Sequence, residues 1–322
     1  MKKFFFLVFF SFLASQLCFS QFKLSAKTGI LNTSLNELLW NKTGDDAQII
    51  SQLDWNTYIA PVLSLDTEYK LADTFIFGLN GLYTIPFSYG IIEDFDYLNI
   101  LSTGGTERTH YSKHDNKLDN YWNAGTFLGV GGKISDNLKL YGLFSFSYSY
   151  YCFTALNGYN QYGTEIGEQN NEDVYNPWAD DIPEKVMEGE IISFEAQKYF
   201  FGLGTRIEYN PSDIFSLIFC IKLMPAFITQ ALDTHYKRKG DSRYNLFDLN
   251  SELAFDAALL LEYRINRYNG VNAGLDFYAS SSDGERFFQS SNKNNWQKCL
   301  NSCGVKEMTW KFVIGYTYIY EK

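Results

Sequence analysis

Two short stretches of the chain place ionisable side chains two residues apart. "EDFD" contains Asp94 and Asp96, and "LDTH" contains Asp233 and His235, one of only three histidines. Side chains two apart on a strand point to the same face, so each pair can share one pocket. A carboxylate that orients an imidazole makes a general base, and two facing carboxyl groups can hold the water that it deprotonates. An isolated Asp-x-His is most often a polar loop edge, so the elements that carry these residues decide between the two interpretations.

The composition indicates membrane-embedded strands. The chain of 322 residues holds 28 Phe, 24 Tyr and 6 Trp, but only 6 Pro. An outer-membrane barrel needs such aromatic residues to cover a lipid-facing band and two interfacial girdles. A soluble β-sandwich is the competing explanation.

Alternating apolar and polar residues predict ten strands. In residues 73–94 the odd positions are almost all large and apolar, and the even positions are mainly small or polar. Similar two-faced runs give the complete set. The predicted strands are 22–40, 48–69, 73–94, 118–135, 138–157, 188–209, 213–235, 246–266, 271–289 and 307–320.

The connections alternate in length. Short turns are predicted at 70–74, 134–138, 210–214 and 265–270, and longer polar loops at 97–117, 158–187 and 290–306. Short periplasmic turns with longer outer loops are typical of outer-membrane barrels. The prediction is an all-β fold, a ten-stranded antiparallel transmembrane β-barrel.

Strand length places the ionisable pairs above the membrane. Twenty residues at about 3.3 Å each, tilted by about 40°, rise roughly 50 Å, whereas the lipid band is about 25 Å tall. In a closed ring of ten, strands 3 and 7 are four neighbours apart one way and six the other. Their tops should therefore face each other and bring the two pairs into one cleft at the mouth.

One irregularity is required in strand 7. Its odd positions from Phe215 to Phe227 are apolar and should face lipid, yet Asp233 and His235 are also odd. The sequence therefore predicts a β-bulge between about Pro225 and Ala231 that shifts the alternation.

The N-terminus predicts export of a single domain. Residues 1–20 have the lysine pair and apolar stretch of a secretory signal peptide, which leaves 21–322 as one barrel domain. Without Lys2 and Lys3 the chain has 25 basic and 37 acidic residues, a net charge of −12. That charge argues against a nucleic-acid partner and suits cationic peptides. No later apolar stretch is long enough for a transmembrane helix.

These residues resemble the omptins, ten-stranded outer-membrane endopeptidases. Asp94 and Asp96 match the aspartate couple of the omptin site, with Tyr97 in place of Trp, and Asp233 and His235 match its aspartate–histidine couple. "SQLDW" at 51–55 also resembles the second omptin strand. The resemblance implies peptide hydrolysis by these four residues, without a cofactor, at a site facing the extracellular side of the outer membrane.

The resemblance also implies a pocket for a basic side chain. Glu37 lies where omptins carry a glutamate that binds the residue before the cleaved bond, P1. The second omptin acid of that pocket corresponds to Ala231. Cleavage near basic residues is therefore expected to depend on one acid instead of two.

Other omptin motifs are partly present. Ser112 and His114 match a loop motif, while the omptin glutamate and arginine that help to bind lipopolysaccharide correspond to Tyr148 and Tyr150. The expected partners are peptide or protein substrates and outer-membrane lipids, and the resemblance does not extend to dependence on lipopolysaccharide.

Several alternatives stay open. The same barrel without catalysis could be an adhesin or a protease that has lost its activity, and a porin is less favoured because side chains fill most of a ten-stranded lumen. His110 and His114 have the spacing of a helical zinc site but lie in a predicted polar loop. Cys299 and Cys303 could close a small ring, and Cys152 and Cys220 could pair or simply pack.

Overall fold

The fold is built almost entirely of long strands. A computed structural model describes residues 20–41, 48–99, 107–169, 172–238, 241–290 and 295–321, and these residues contain no helix. The predicted signal peptide therefore lies outside the described residues, except for Ser20. No helix in the described part of the chain is long and apolar enough to cross a bilayer.

The described residues form fourteen strands, and eleven of these occupy ten positions around the ring. The ring strands are β1 (Ser20–Asn41), β2 (Gln48–Leu71), β3 (Phe75–Thr84), β4 (Tyr89–Asp96), β5 (His110–Ser135), β6 (Leu138–Tyr162), β10 (Glu190–Ser212), β11 (Phe215–Arg238), β12 (Asp241–Asn266), β13 (Asn269–Ser290) and β14 (Gln297–Glu321). The connection after β6 carries three short strands, β7 (Glu165–Gln169), β8 (Glu172–Tyr175) and β9 (Lys185–Val186).

Every neighbouring pair in the ring is antiparallel, and the ring is closed. β3 and β4 share the third position, where both pair with β2 on one side and β5 on the other. β14 pairs with β1 along nearly its whole length. The prediction of a ten-stranded antiparallel barrel is confirmed, and closure leaves no unpaired edge among the described ring strands.

The largest departures from the predicted strands are in the third strand, β5 and β14. The third strand is interrupted between β3 and β4, where Pro86 cannot donate to the ladder. β5 begins at His110 instead of 118, and β14 begins at Gln297 instead of 307. The predicted loops at 97–117 and 290–306 are correspondingly shorter, whereas all four short turns lie where the sequence predicts them.

The outer surface shows where lipid contact ends. Alternate residues of β14 from Met308 to Tyr320 are large, apolar and 42–52 % exposed, as a lipid-facing strand requires. On β1 the apolar outward series ends at Ile30 and continues with Asn32, Ser34 and Asn36. The upper strands therefore project beyond the lipid band, at the end of the barrel that carries the longer loops.

The lumen is closed below that projecting part. At the short-turn end, ion pairs join Arg206 to Glu68 at 2.6 Å and Lys70 to Glu208 at 2.7 Å. A cavity of about 320 Å³ with polar and charged walls lies above them.

An aromatic plug, defined by Trp55, Tyr151, Phe153, Phe194 and Phe247, separates this cavity from the mouth. Its side chains are at most 2 % exposed, and the ring centroids of Trp55 and Phe153 are 5.8 Å apart. Burial of such large rings fixes the shape of the surface above them.

The expected bulge of strand 7 is present. Tyr199 and Phe200 of β10 pair with Ile228 and Ala226, so Phe227 is an extra residue in β11. Below it the odd residues Phe219, Ile221 and Leu223 are exposed, and above it Ala231 and Asp233 are buried. The inserted residue therefore turns Asp233 and His235 toward the lumen.

Candidate active site

The first acidic pair lies on the inner face of β4. Asp94 and Asp96 are 5 % and 3 % exposed, whereas the intervening Phe95 points outward and packs against Tyr111 with a centroid separation of 5.4 Å. In register, Asp94 pairs with Leu53 of β2 and with Ser112 of β5. Both carboxyl groups therefore line the lumen above the aromatic plug.

Glu37 lies between the two predicted couples. It is 1 % exposed, and both of its carboxylate oxygens lack a hydrogen-bond partner among the described residues. Burial raises the pKa of Glu37 well above its ordinary value, and the charges of Asp233 and then Asp94 raise it further. Because both aspartates act on one carboxyl group, β4, β1 and β11 contribute to a single acidic site.

The second couple is joined by a direct hydrogen bond. His235 Nε2 lies 2.8 Å from Asp233 Oδ2, and the aspartate is 1 % exposed. A carboxylate can only accept, so Nε2 carries the hydrogen, and the lone pair of a neutral ring is on Nδ1. The His235 side chain is 13 % exposed, which leaves the ring accessible to a small molecule.

Two neighbours of this couple were not predicted from the sequence. Asn245 Nδ2 donates to Asp233 Oδ2 at 2.7 Å, and Arg286 Nε donates to Asn245 Oδ1 at 3.0 Å. Both residues lie near the long-loop ends of β12 and β13. Polar residues at inward positions above the apolar plug are the signal that could have identified them.

The floor of the site is formed by buried apolar side chains. Trp55 is fully buried, and its indole lowers the pKa of the Glu37 carboxyl group against the larger raising effects. Ala231 is 2 % exposed and pairs with Phe247 of the plug. "SQLDW" therefore contributes its tryptophan to the site, while Asp54 lies on the outer face and accepts hydrogen bonds from Asn36 and Gln52.

The remaining two histidines lie on β5, and the prediction that they occupy a polar loop is wrong. His114 Nδ1 donates to the Asn157 carbonyl, and its Nε2 accepts from Ser112 Oγ at 3.0 Å. Burial lowers the pKa of His114. His110 packs between Tyr162 and Tyr175, with centroid separations of 4.3 and 4.6 Å.

All four cysteines of the described chain are free thiols. Cys303 is fully buried close to Glu37, which raises the pKa of the thiol in addition to the larger effect of burial. Cys299 and Cys303 therefore do not form the ring that the sequence left open.

A closed ten-stranded barrel with a carboxylate-rich cleft at one mouth defines a class of membrane enzyme, and the comparisons identify the family. The model of the omptin family matches residues 18–320. The chain therefore belongs to the omptin family, whose members are outer-membrane proteases.

One solved structure supports the fold. The outer membrane protease OmpT from Escherichia coli is 18 % identical, with a TM-score of 0.82 over 93 % of this chain and 97 % of that one. The outer membrane protein OprG from Pseudomonas aeruginosa is 12 % identical over 94 % and 97 % of the two chains, with a TM-score of only 0.38. No curated protein matches the chain.

Proposed function

We propose that the chain is an endopeptidase of the aspartate/histidine type that hydrolyses peptide bonds outside the cell. The observation that carries this proposal is the hydrogen-bonded Asp233–His235 couple, connected electrostatically through Glu37 to the Asp94 carboxyl group. Each group has a role in activating water against a peptide carbonyl.

His235 is the proposed base. Asp233 holds the Nε2 hydrogen, so Nδ1 takes a proton from a water molecule as the oxygen attacks the carbonyl carbon. The imidazolium that forms is stabilised by Asp233 and then returns the proton to the leaving amine. Asp94 and Asp96 on the opposite wall seat the water and, when one of them is protonated, polarise the carbonyl oxygen.

Glu37 is the proposed P1 acid. Its unpartnered oxygens lie in a pocket above Trp55, where an ionised carboxylate would bind a lysine or arginine side chain. Ala231 leaves this pocket with one acid where omptins have two. We therefore expect cleavage next to basic residues with weaker selectivity than two acids would give.

The cleft is proposed to face the outside of the cell. The projecting polar strands and the longer loops lie at the end of the barrel that holds the site, and short turns occupy the other end. Outer-membrane barrels place their longer loops outside.

We propose that the activity of the chain does not require lipopolysaccharide. Tyr148 packs against Trp122 and Tyr199, with centroid separations of 4.8 and 4.5 Å, and Tyr150 donates to Glu195 at 3.1 Å. This aromatic surface suits an interfacial lipid layer, and neither Tyr148 nor Tyr150 supplies a cation for a phosphate group. Equal activity of the refolded chain with and without added lipopolysaccharide would support this assignment, and activation by the lipid would contradict it.

Cleavage of a fluorogenic peptide library tests the function. The full chain, refolded in detergent, should cleave peptides containing Arg or Lys, and H235A should lower kcat by about 10²–10⁴-fold. Q230A, at an exposed position of the same strand, is the matched control. Electrophoretic mobility without heating reports whether each variant is folded.

The same assay addresses the non-catalytic alternative. Full cleavage by folded H235A would refute the assignment of the base. Absence of cleavage by the folded wild-type chain would favour an adhesin or an inactive protease of the same fold. Ala231, which stands where omptins have an acid, is the residue that would fit a loss of activity.

A further inference from the structure

A chain of hydrogen bonds crosses three neighbouring strands and ends at the proposed base. Arg286 on β13 donates to Asn245 on β12 at 3.0 Å, Asn245 donates to Asp233 on β11 at 2.7 Å, and His235 donates to the same aspartate oxygen at 2.8 Å. The position of the aspartate therefore depends on residues beyond the omptin-like couples.

The chemistry of the groups fixes the direction of this chain. A guanidinium group has donors only, so it must face the oxygen of the Asn245 amide. The amide nitrogen is then left to face Asp233. Without Arg286 the amide could turn over and place its oxygen against the carboxylate, which would replace an attraction by a repulsion.

Arg286 also belongs to the site electrostatically. Its charge lowers the pKa of Glu37 against the larger raising effects of burial, Asp233 and Asp94. It acts in the same direction on the buried thiol of Cys303. The guanidinium group is therefore a positive charge close to a site that otherwise gathers carboxylates.

The environment of Asp233 makes this support necessary. The side chain is 1 % exposed, and its second oxygen has no hydrogen-bond partner among the described residues. Glu37 on β1 and Asp94 on β4 add acidic groups to the site, while Arg286 supplies a positive charge that acts on Glu37. A buried polar group is costly unless donors satisfy it, so the hydrogen bonds from Asn245 and His235 are needed to hold this side chain in place.

We propose that Asn245 and Arg286 are positioning residues of the protease. Asn245 keeps Asp233 oriented toward His235, and Arg286 acts through Asn245 by fixing its amide. This inference rests on the proposed function, because it assigns the two residues to the same base. Neither residue needs to touch the substrate.

Four variants test the proposal. N245A should lower kcat roughly 10–100-fold with little change in KM, since a hydrogen bond to a charged group is lost. The acidic limb of kcat/KM against pH should move to higher pH, and further in N245D, which sets a second carboxylate beside Asp233. R286M should lower kcat and move the pH profile in the same direction. R286K should recover part of the lost kcat, because lysine keeps the positive charge but lacks the planar guanidinium group with its fixed donors.

The double variant N245A/R286M gives the sharpest outcome. If Arg286 acts through Asn245, the double variant should be no slower than N245A alone. Losses that multiply, or unchanged kcat and pH profiles in folded N245A and R286M, would overturn the inference. Folded H235A with full activity would instead overturn the proposed function, so the two failures are distinguishable.

Discussion

Glu37 and Asp94 lie at the same height of the barrel, because both are register partners of Leu53 on the strand between them. The inner faces of β1 and β4 thus present two carboxyl groups on one level above Trp55. Asp233 acts on this pair from β11, since its charge also raises the pKa of Glu37. The consequences of this arrangement depend on pH.

Cleavage next to a basic residue should rise with pH. The raised pKa of Glu37 means that the group ionises only above its ordinary range, and only the ionised form attracts a cationic P1 side chain. The ratio of kcat/KM for a lysine peptide to that for its norleucine analogue should increase as pH rises. E37Q should flatten this ratio, and a ratio in wild type that is independent of pH would contradict the role of Glu37.

The same group should affect stability with the opposite trend. A carboxyl group whose pKa is raised by folding binds its proton more tightly in the folded state, so stability falls as pH rises from about 4.5 through the raised pKa. E37Q cannot ionise and should melt above wild type at pH 8 but near it at pH 4. Thermal unfolding in detergent at both values measures this, and L35A, which changes the same strand without a titrating group, controls for packing.

Restoring the second acid should sharpen specificity. Ala231 is buried on the inner face two residues before Asp233. In A231D, a second carboxylate should raise kcat/KM for Arg and Lys at P1 by roughly 10-fold relative to neutral residues, about 1.4 kcal/mol. A231N adds similar volume without charge and should show no such gain. An equal gain in both variants would indicate a change of shape instead.

Insertion of one alanine after Gln230 should abolish activity. Phe227 is already an extra residue in β11, and a second one would turn every later residue of the strand to the opposite face. Asp233 and His235 would then face outward. Deletion of Phe227 makes the pairing with β10 regular, keeps the couple on the inner face and should preserve activity, whereas activity of the folded insertion variant would show that the facing of the couple does not matter.

The sequence predicts most accurately where lipid imposes a pattern. Phe75, Phe77 and Leu79 alternate because one face of β3 contacts hydrocarbon, and the parity of Phe219, Ile221 and Leu223 was enough to predict the bulge. The residue pairs that meet at the mouth followed from strand order and from the omptin resemblance.

The prediction fails above the lipid band for a physical reason. Residues of β5 near His110 and His114 and of β14 near Cys299 have polar or mixed outer faces, so no apolar alternation marks them as strands. Asn245 and Arg286 could not be predicted for the same reason. In the sequence, a polar residue of a projecting strand cannot be told from a loop residue until its neighbours are known. Contacts across three strands are not encoded in any local pattern.

Because of the aromatic plug, the cleft is open at one end only. Trp55, Phe153 and Phe194 close its base. Both fragments of a cleaved peptide must therefore leave through the opening by which the peptide entered. If the proposed function holds, we therefore expect short, flexible segments to be the better substrates and the cleaved fragments to compete with new substrate for the cleft.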